Sequence, residues 1–389
     1  MTRVGRLSHS RMKLFRLCQR RYAYEKVHGY TPVDVPEPLV FGSALHRGLE
    51  AMWRSWLPGH VPAPLPDDLD VLGGWPLYVV GEREQQAFGE AIMALRADPH
   101  PDPSRQALIE ELTWAYAAKW GGADLQPIAV EREFVMPLTH PITGETSATW
   151  DITGRLDVLA ERASDGAVVV VEHKSTSGDV SVGSGYWVAL RMDAQASTYF
   201  AAAQAMGFDP AAVVYDVVAK PRVEPLRATP PDQRKLTVDR RKPCKCRGFG
   251  CAICGGTGAV GEPPRLYSGQ RDTDESLDDF RARVRALITS EEGQRLYFVR
   301  DDVARLEGEL TDHRLDVWHQ AEAMAAVHRD PDRAVRSPEA CVSFGRVCSF
   351  FTVCSTRDRT PLSDRSLFRL RTDADANPEP EEEAACPQP

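Results

Sequence analysis

The chain reads as an α/β protein, and two observations carry that reading. Near residue 128 the apolar pattern changes from helical spacing to alternation, and helical spacing returns near residue 185. Two β-rich stretches, 151–159 and 167–174, are joined by Ser164-Asp165-Gly166, a turn signal, so they predict a hairpin. A short mixed sheet flanked by helices accommodates both.

The elements follow in order. Residues 8–27 predict a helix, capped by Ser8 or Ser10, with Phe15, Cys18 and Tyr22 on one face. Pro32, Pro36 and Pro38 break the chain, and a second helix is expected over 41–56. Residues 57–76, rich in Pro, Gly and Asp, predict a loop, and helices are expected at 80–97 and 104–120. Strands are expected at 128–138, 151–159, 167–174 and 211–219, with a helix at 185–206. Ile152, Gly154, Leu156 and Val158 share one face of their strand, and AVVVVEHK suits a buried one. Residues 221–268 are rich in Pro, Gly and Cys and predict an insertion, whereas 273–327 predict helix.

The organisation expected is therefore a helical region at 1–127, a core at 128–220 and the insertion at 221–268. A helical region follows at 269–340, then a cysteine segment at 341–360 and an acidic, disordered tail at 361–389.

Composition bounds the function. With 389 residues, 42% hydrophobic and 26% charged, the chain is long enough for a full core and predicts a globular protein of two to three domains. No apolar run approaches the roughly 20 residues of a membrane span, which argues against a membrane partner. The start, MTRVGRLSHSRMKLF, has no apolar signal core, so a cytoplasmic location is expected.

The formal charge of −9 is unevenly spread. Asp373, Asp375, Glu379, Glu381, Glu382 and Glu383 crowd the tail, whereas the first 26 residues hold eight bases against Glu25. That asymmetry leaves nucleic acid open as a partner. The basic arm by itself is equally consistent with a solvated charged helix.

The predicted hairpin carries acids. With the turn centred on Ser164-Asp165, positions summing to about 329 face each other, so Asp157 sits opposite Glu172 and Lys174 shares their face. A slip of two keeps all three together, and an odd slip scatters them. Two carboxylates in an apolar sheet repel, and a divalent cation such as Mg²⁺ or Mn²⁺ resolves the conflict. Taken alone, the pattern more often marks a surface hairpin with an ordinary ion pair. Glu131 and Glu133, on the preceding strand, are within reach of the site, but are expected to face solvent.

The neighbouring motifs change that weighting. Gly154-Arg155-Leu156-Asp157, Val171-Glu172-His173-Lys174, Gln195-x-x-x-Tyr199 and the upstream Phe41-Gly42-Ser43-Ala44-Leu45-His46 resemble, in order and spacing, the PD-(D/E)xK nuclease superfamily. They are similar to its RecB-like branch in particular, although no proline precedes Asp157. The resemblance implies a restriction-endonuclease-like core. It implies that His46, Asp157 and Glu172 ligate one cation, with the carbonyl of His173 a further ligand. It also implies that Lys174 is the catalytic lysine and that Gln195 and Tyr199 orient the lysine or the DNA backbone.

Nine cysteines in a chain without an export signal are expected as thiols, and their clustering favours metal over disulfides. Cys341-x6-Cys348-x5-Cys354 is one ligand short of a closed four-thiolate set, and Cys18 is the candidate fourth. One early cysteine plus this late triplet resembles the iron–sulfur nucleases, including the AddB nuclease domain and the RecB-like CRISPR-associated exonucleases. In these, four thiolates hold a [4Fe–4S] cluster. Phe15 and Tyr22 around Cys18, and Phe344-Gly345-Arg346, match as well, while Ser349 stands where that family often has proline. Such a cluster would staple ligands spread over 336 positions, an architectural rather than redox role. Zinc at the same thiolates, or four separate thiols, are the alternatives.

A second set is compact. Cys251-x-x-Cys254-x-Gly256-x-Gly258 resembles the zinc repeat of DnaJ-type proteins, and Cys244-x-Cys246-x-Gly248-x-Gly250 is a shortened near copy. Two pairs this close suit a tetrahedral structural zinc, with a second iron–sulfur cluster or free thiols as alternatives. Arg234, Lys235, Arg240, Arg241, Lys242, Lys245 and Arg247 surround them, and Phe249 is placed to stack on a base, so this knuckle is a candidate DNA contact. A solvated charged loop fits those bases equally well. Cys386, in the tail, is expected to ligate nothing.

Together these features imply metal-dependent hydrolysis of DNA phosphodiester bonds. An exonuclease acting on single-stranded ends is favoured, in repair, recombination, CRISPR adaptation or phage DNA metabolism. The chain has no helicase P-loop, so a helicase, recombination or CRISPR protein would be a separate partner. The rival reading is a non-cleaving DNA-binding subunit of a recombination or repair complex. An iron–sulfur redox protein is a third, but no strand-borne G-x-G-x-x-G supports it.

Overall fold

The computed structural model describes residues 5–65, 81–121, 124–246, 251–255, 257, 259–343 and 345–371. Expectations for Arg247, Phe249, Phe344, Cys386, the glycines at 248, 250, 256 and 258, and the tail from 372 lie outside the described residues.

The chain opens with β1 (Gly5–Leu7), α1 (His9–Leu17), α2 (Gln19–Tyr22) and β2 (Tyr30–Pro32). Three longer helices follow: α3 (Glu37–Ser55), α4 (Glu82–Ala97) and α5 (Pro103–Trp120). The sheet strands are β3 (Leu125–Thr139), β4 (Thr146–Arg162), β5 (Val168–Thr176) and, after α6 (Gly185–Arg191) and α7 (Ala194–Ala205), β6 (Pro210–Ala219). The insertion holds β7 (Lys242–Pro243) and β8 (Ala259–Val260). It leads to α8 (Leu277–Thr289), α9 (Glu291–Tyr297), β9 (Phe298–Val303) and α10 (Glu307–Arg329). The last elements are β10 (Val342–Ser343), β11 (Arg346–Val347), α11 (Phe351–Thr356) and β12 (Phe368–Leu370).

One mixed sheet organises these parts in the order β1-β4-β5-β6-β9, with β3 also paired to β4. β4 is long enough to serve three partners: it is parallel to β1, and antiparallel to β3 and β5. β5 and β6 run parallel, joined by the crossover through α6 and α7. Val158 pairs with Val171 and Leu159 with Val170, the register expected from the turn, so the next position sets Asp157 opposite Glu172.

Apolar side chains cover both sheet faces. Leu159, Val170, Val213, Tyr215 and Val217 pack with Met12 and Phe15 of α1, Tyr199 of α7, and Val317 and Met324 of α10. Val158, Val169, Val171, Val214 and Val218 pack with α3, α4, α5 and α8. Strands buried on both faces need the near-continuous apolar runs seen in β5 and β6. The result is three layers, helix–sheet–helix. Among the described residues no helix is long and apolar enough to cross a membrane.

Four expected elements are changed by tertiary contacts. The helix predicted over 8–27 breaks at Cys18, which is extended (φ −162°, ψ 110°), and finishes as a π-turn over Ala23–Val27. The Arg20 N–H bonds to the Val335 carbonyl instead of a helical acceptor. The helix at 185–206 divides at Asp193, whose carboxylate accepts from the Gln195 N–H and caps α7. The helical stretch at 273–327 contains β9, an edge strand apolar at its ends and charged between, so its period carries no signal. Residues 368–370, grouped with the tail from sequence, form β12 and pair with β2.

Candidate active site and two cysteine centres

The acidic hairpin delivers its side chains to one rim of the sheet. Asp157 is buried, and its Oδ2 accepts the backbone N–H of His173 at 2.9 Å. Glu172 is buried, and its Oε1 accepts from Lys174 Nζ at 2.7 Å. Lys174 also donates to Gln195 Oε1 at 2.6 Å, and Gln195 Nε2 donates to the Tyr199 hydroxyl at 3.1 Å. Gln195 and Tyr199 stand one turn apart on α7, which packs across β5. The Tyr199 ring meets Phe134 edge-on at 6.1 Å. Gly154 makes room for that contact, since a Cβ there would lie 2.7 Å from the Phe134 ring.

Alternation along β5 turns His173 to the opposite face. Its buried ring lies against Trp53, Tyr116 and His46 at centroid distances of 5.7, 6.2 and 6.3 Å. Its Nδ1 is 3.5 Å from Asp216 Oδ2. Burial lowers the His173 pKa, against the pull of Asp216. His46 thus approaches from α3 on the His173 side.

Three acidic groups beyond the expected site residues surround the hairpin. Asp193 accepts from the Tyr215 hydroxyl at 3.1 Å and lies 3.9 Å from His9 Nε2. Burial opposes its ionisation, but the charge of Lys174, with hydrogen bonds from the Gln195 N–H and the Tyr215 hydroxyl, outweighs it and holds the carboxyl below its ordinary value. Its sequence signal was a capping position two residues before Gln195.

Behind β5, the buried Asp216 accepts from Tyr116 and from Arg300 Nη2, the latter at 2.9 Å. Burial again opposes ionisation, and Arg300 and His173 overcome it. No local pattern marks this set, because its members come from α5, β6 and β9.

Glu131, expected to face solvent, instead has its side chain largely covered, takes a left-handed conformation (φ 52°) and is ion-paired with Arg155. Burial raises its pKa to about 7, opposed by Arg155. The neighbouring register, Val130 with Val158 and Arg132 with Leu156, brings it alongside Asp157.

The first cysteine set converges. Cys18, Cys341, Cys348 and Cys354 line one small cavity with Arg21, Arg336 and Phe350. Burial raises the thiol pKa values of Cys348 and Cys354, and the neighbouring thiols add to it. No three of these sulfurs lie mutually within 4.8 Å. A tetrahedral zinc with bonds of about 2.3 Å needs sulfurs about 3.8 Å apart. The walls are braced by Tyr24 stacked on Phe350 at 5.2 Å and Phe350 on Phe368 at 4.9 Å.

The second set is tight. Cys244, Cys246, Cys251 and Cys254 place all four sulfurs within 4.8 Å, and among the described residues no other ligand group of three or more does so. Their closest separations, 3.5 to 3.7 Å, match the edge of a single-ion tetrahedron.

The family model described as the PD-(D/E)XK nuclease superfamily matches residues 6–355, which span every element of this rim and both cysteine sets. No curated protein matches the chain. The matched span and its α/β architecture agree: the chain belongs to the PD-(D/E)XK nuclease superfamily, a family of metal-dependent nucleases.

Proposed function

We propose that the protein is a deoxyribonuclease of exonuclease type that degrades single-stranded DNA ends, with its chemistry at the Asp157–Glu172–Lys174 rim. The observation that carries this reading is the hydrogen-bonded relay from Glu172 through Lys174 and Gln195 to Tyr199, set beside Asp157. Asp157, Glu172 and His46 are the residues to hold Mg²⁺ or Mn²⁺, which in such sites polarises phosphate oxygens and activates water. Lys174 supplies a fixed positive charge to the phosphate as negative charge develops in the transition state. Gln195 and Tyr199 hold that ammonium in place, and the His173 N–H holds the Asp157 carboxylate.

The wider cysteine set supports a [4Fe–4S] cluster at Cys18, Cys341, Cys348 and Cys354, and the tight set supports structural zinc at Cys244, Cys246, Cys251 and Cys254. The exonuclease assignment rests on similarity of the first cysteine pattern to iron–sulfur nucleases. A helicase or recombination partner would supply unwound ends.

The test is anaerobic purification followed by digestion of end-labelled single- and double-stranded DNA in Mn²⁺, Mg²⁺ or EDTA, with Lys174→Ala alongside. Metal-dependent shortening from one end of the single strand, lost in the variant, is expected. No cleavage of either DNA by folded, iron-loaded protein overturns the assignment and favours a non-cleaving DNA-binding subunit.

A further inference from the structure

The insertion is built as an arm. Backbone pairing begins where Glu275 N–H meets the Leu226 carbonyl and continues through Thr229 with Arg271. From Lys235 onward the register is constant: Lys235 with Tyr267, Leu236 with Leu266, Thr237 with Arg265, Arg240 with Glu262, Lys242 with Val260 and Pro243 with Ala259. At about 3.3 Å per residue, Lys235 to Pro243 alone spans roughly 25 Å. The ladder runs back past the insertion boundary expected at 268, to Glu275. The two strands press close at Gly261 (φ 122°), where a Cβ would lie 2.6 Å from the Arg240 carbonyl oxygen. The four close thiols form the tip.

The root of the arm lies at the candidate catalytic rim. β6 pairs with β5 in parallel, Val217 against Lys174 and Ala219 against Thr176, so the arm leaves the sheet at the carboxyl end that carries Lys174. In open α/β sheets, ligands bind outside that end. Lys220 N–H bonds to the Thr176 carbonyl, and Arg222 Nη2 reaches the Ser177 carbonyl at 2.9 Å, tying the root to the segment that follows Lys174.

Charge along the arm is segregated. At the root, Asp274 is bonded by Arg227 and Glu275 by Arg283, so the acids there are neutralised. Between 234 and 265 the sequence holds eight bases and only Asp239 and Glu262 as acids, in a chain of formal charge −9. Arg241 is forked onto Asp239, and Arg234 bonds to backbone carbonyls of Thr229 and Asp272. Lys235, Arg240, Lys242, Lys245 and Arg265 are exposed and form no ion pair among the described residues. A zinc tetrathiolate at the tip carries about −2 and offsets only part of this excess. Like charges held along one rigid hairpin repel, and a polyanion relieves that repulsion by exchanging its condensed counterions for them.

We propose that this arm is a DNA-backbone clamp, in which Lys235, Arg240, Lys242, Lys245 and Arg265 engage phosphates of the strand that enters the Lys174 rim. The four-cysteine tip, closed by zinc, keeps the hairpin from fraying. The proposal rests on the nuclease reading for the identity of the polyanion.

The test uses the full chain carrying Lys174→Ala, so that the probe survives. Binding of fluorescein-labelled single-stranded and duplex oligonucleotides is followed by anisotropy over a salt series. Lys235→Ala/Arg240→Ala/Lys242→Ala is added, with zinc content and melting temperature measured for each protein. The expected result is an affinity loss of about tenfold and a fall of about 2 to 3 in the slope of log affinity against log salt, with zinc and melting unchanged. A second variant, Cys251→Ser/Cys254→Ser, is expected to lose zinc and weaken binding in the same direction. Unchanged affinity and slope in the zinc-loaded triple variant overturns the clamp, even when the chain with Lys174 intact cleaves DNA. Failure of the Lys174-intact protein both to bind and to cleave DNA overturns the nuclease reading as well.

Discussion

Lys174 Nζ lies 2.6 Å from Gln195 Oε1, joining the end of the acidic hairpin to the first turn of α7. The same ammonium is 2.7 Å from Glu172, so the lysine is held from two directions by a neutral acceptor and a charged one. A neutral amide acceptor restrains the ammonium without cancelling its charge, which suits a group meant to act on a phosphate. The hydroxyl of Tyr199 fixes the amide in turn by accepting from its nitrogen, so the carbonyl faces the lysine.

Gln195→Ala removes one of those two restraints. DNA cleavage is expected to fall about 100-fold in kcat, with KM for DNA nearly unchanged and melting retained. Gln195→Glu restores an acceptor but adds a charge, and is expected to recover part of the rate with its pH optimum moved upward. Equal kcat in Gln195→Ala and the parent would remove Gln195 from the positioning role.

Gly154→Ala puts a methyl group 2.7 Å from the Phe134 ring and 3.6 Å from that of Tyr199. The crowding is expected to cost about 1–3 kcal/mol in stability. It is also expected to displace Tyr199, so that activity falls further than the loss of folded protein accounts for. Chemical denaturation and cleavage assays on the same samples separate the two effects. A fully stable, fully active variant would show that the rings give way freely.

His9 is buried beside Asp193, and burial drives its pKa down to about 3 from an ordinary 6.5. Between those values the unfolded chain binds a proton that the folded chain refuses. Its stabilising contribution is therefore complete above pH 6.5 and is lost as the pH falls toward 3. At pH 5 this amounts to about 2 kcal/mol. His9→Gln is expected to show a smaller drop in melting temperature between pH 7.5 and pH 5 than the parent. The same drop in both proteins would assign the acid sensitivity elsewhere, to His173, His313 or His328, whose pKa values burial also lowers.

Cys18→Ser is expected to release iron, bleach the visible absorbance of the anaerobic protein and expose residues 5–27 to proteolysis. Cys18 is the thiol that brings the amino-terminal helices to the cavity of the three late cysteines, beside the small core of Tyr24, Phe350 and Phe368. Cys251→Ser is expected to leave that iron untouched. Retention of full iron by Cys18→Ser would place the fourth ligand elsewhere.

Sequence alone predicted the hairpin and favoured its register, and the structure closed off the odd slip that would have scattered the acids. Side chains alternate with period two and the turn was marked by Ser164-Asp165-Gly166, so pairing Val158 with Val171 followed from local rules. The Gln195–Tyr199 spacing likewise follows from helical geometry. Both cysteine groupings were legible because ligand spacing is written along the chain, although only the fold showed that the first four line one cavity and that the second four close to within 4.8 Å. What only the tertiary structure decided depends on partners far away in sequence. Arg20 finds the Val335 carbonyl and α1 ends at Cys18, β9 exists because β6 offers an edge, and Asp216 is ionised because Arg300 reaches it. Glu131 looked like a solvent-facing strand residue, and only the packing of α3 and Arg155 around it made its side chain a half-buried neighbour of Asp157. Backbone periodicity is set by neighbours a few residues apart, whereas burial and charge are set by whatever the folded chain brings alongside.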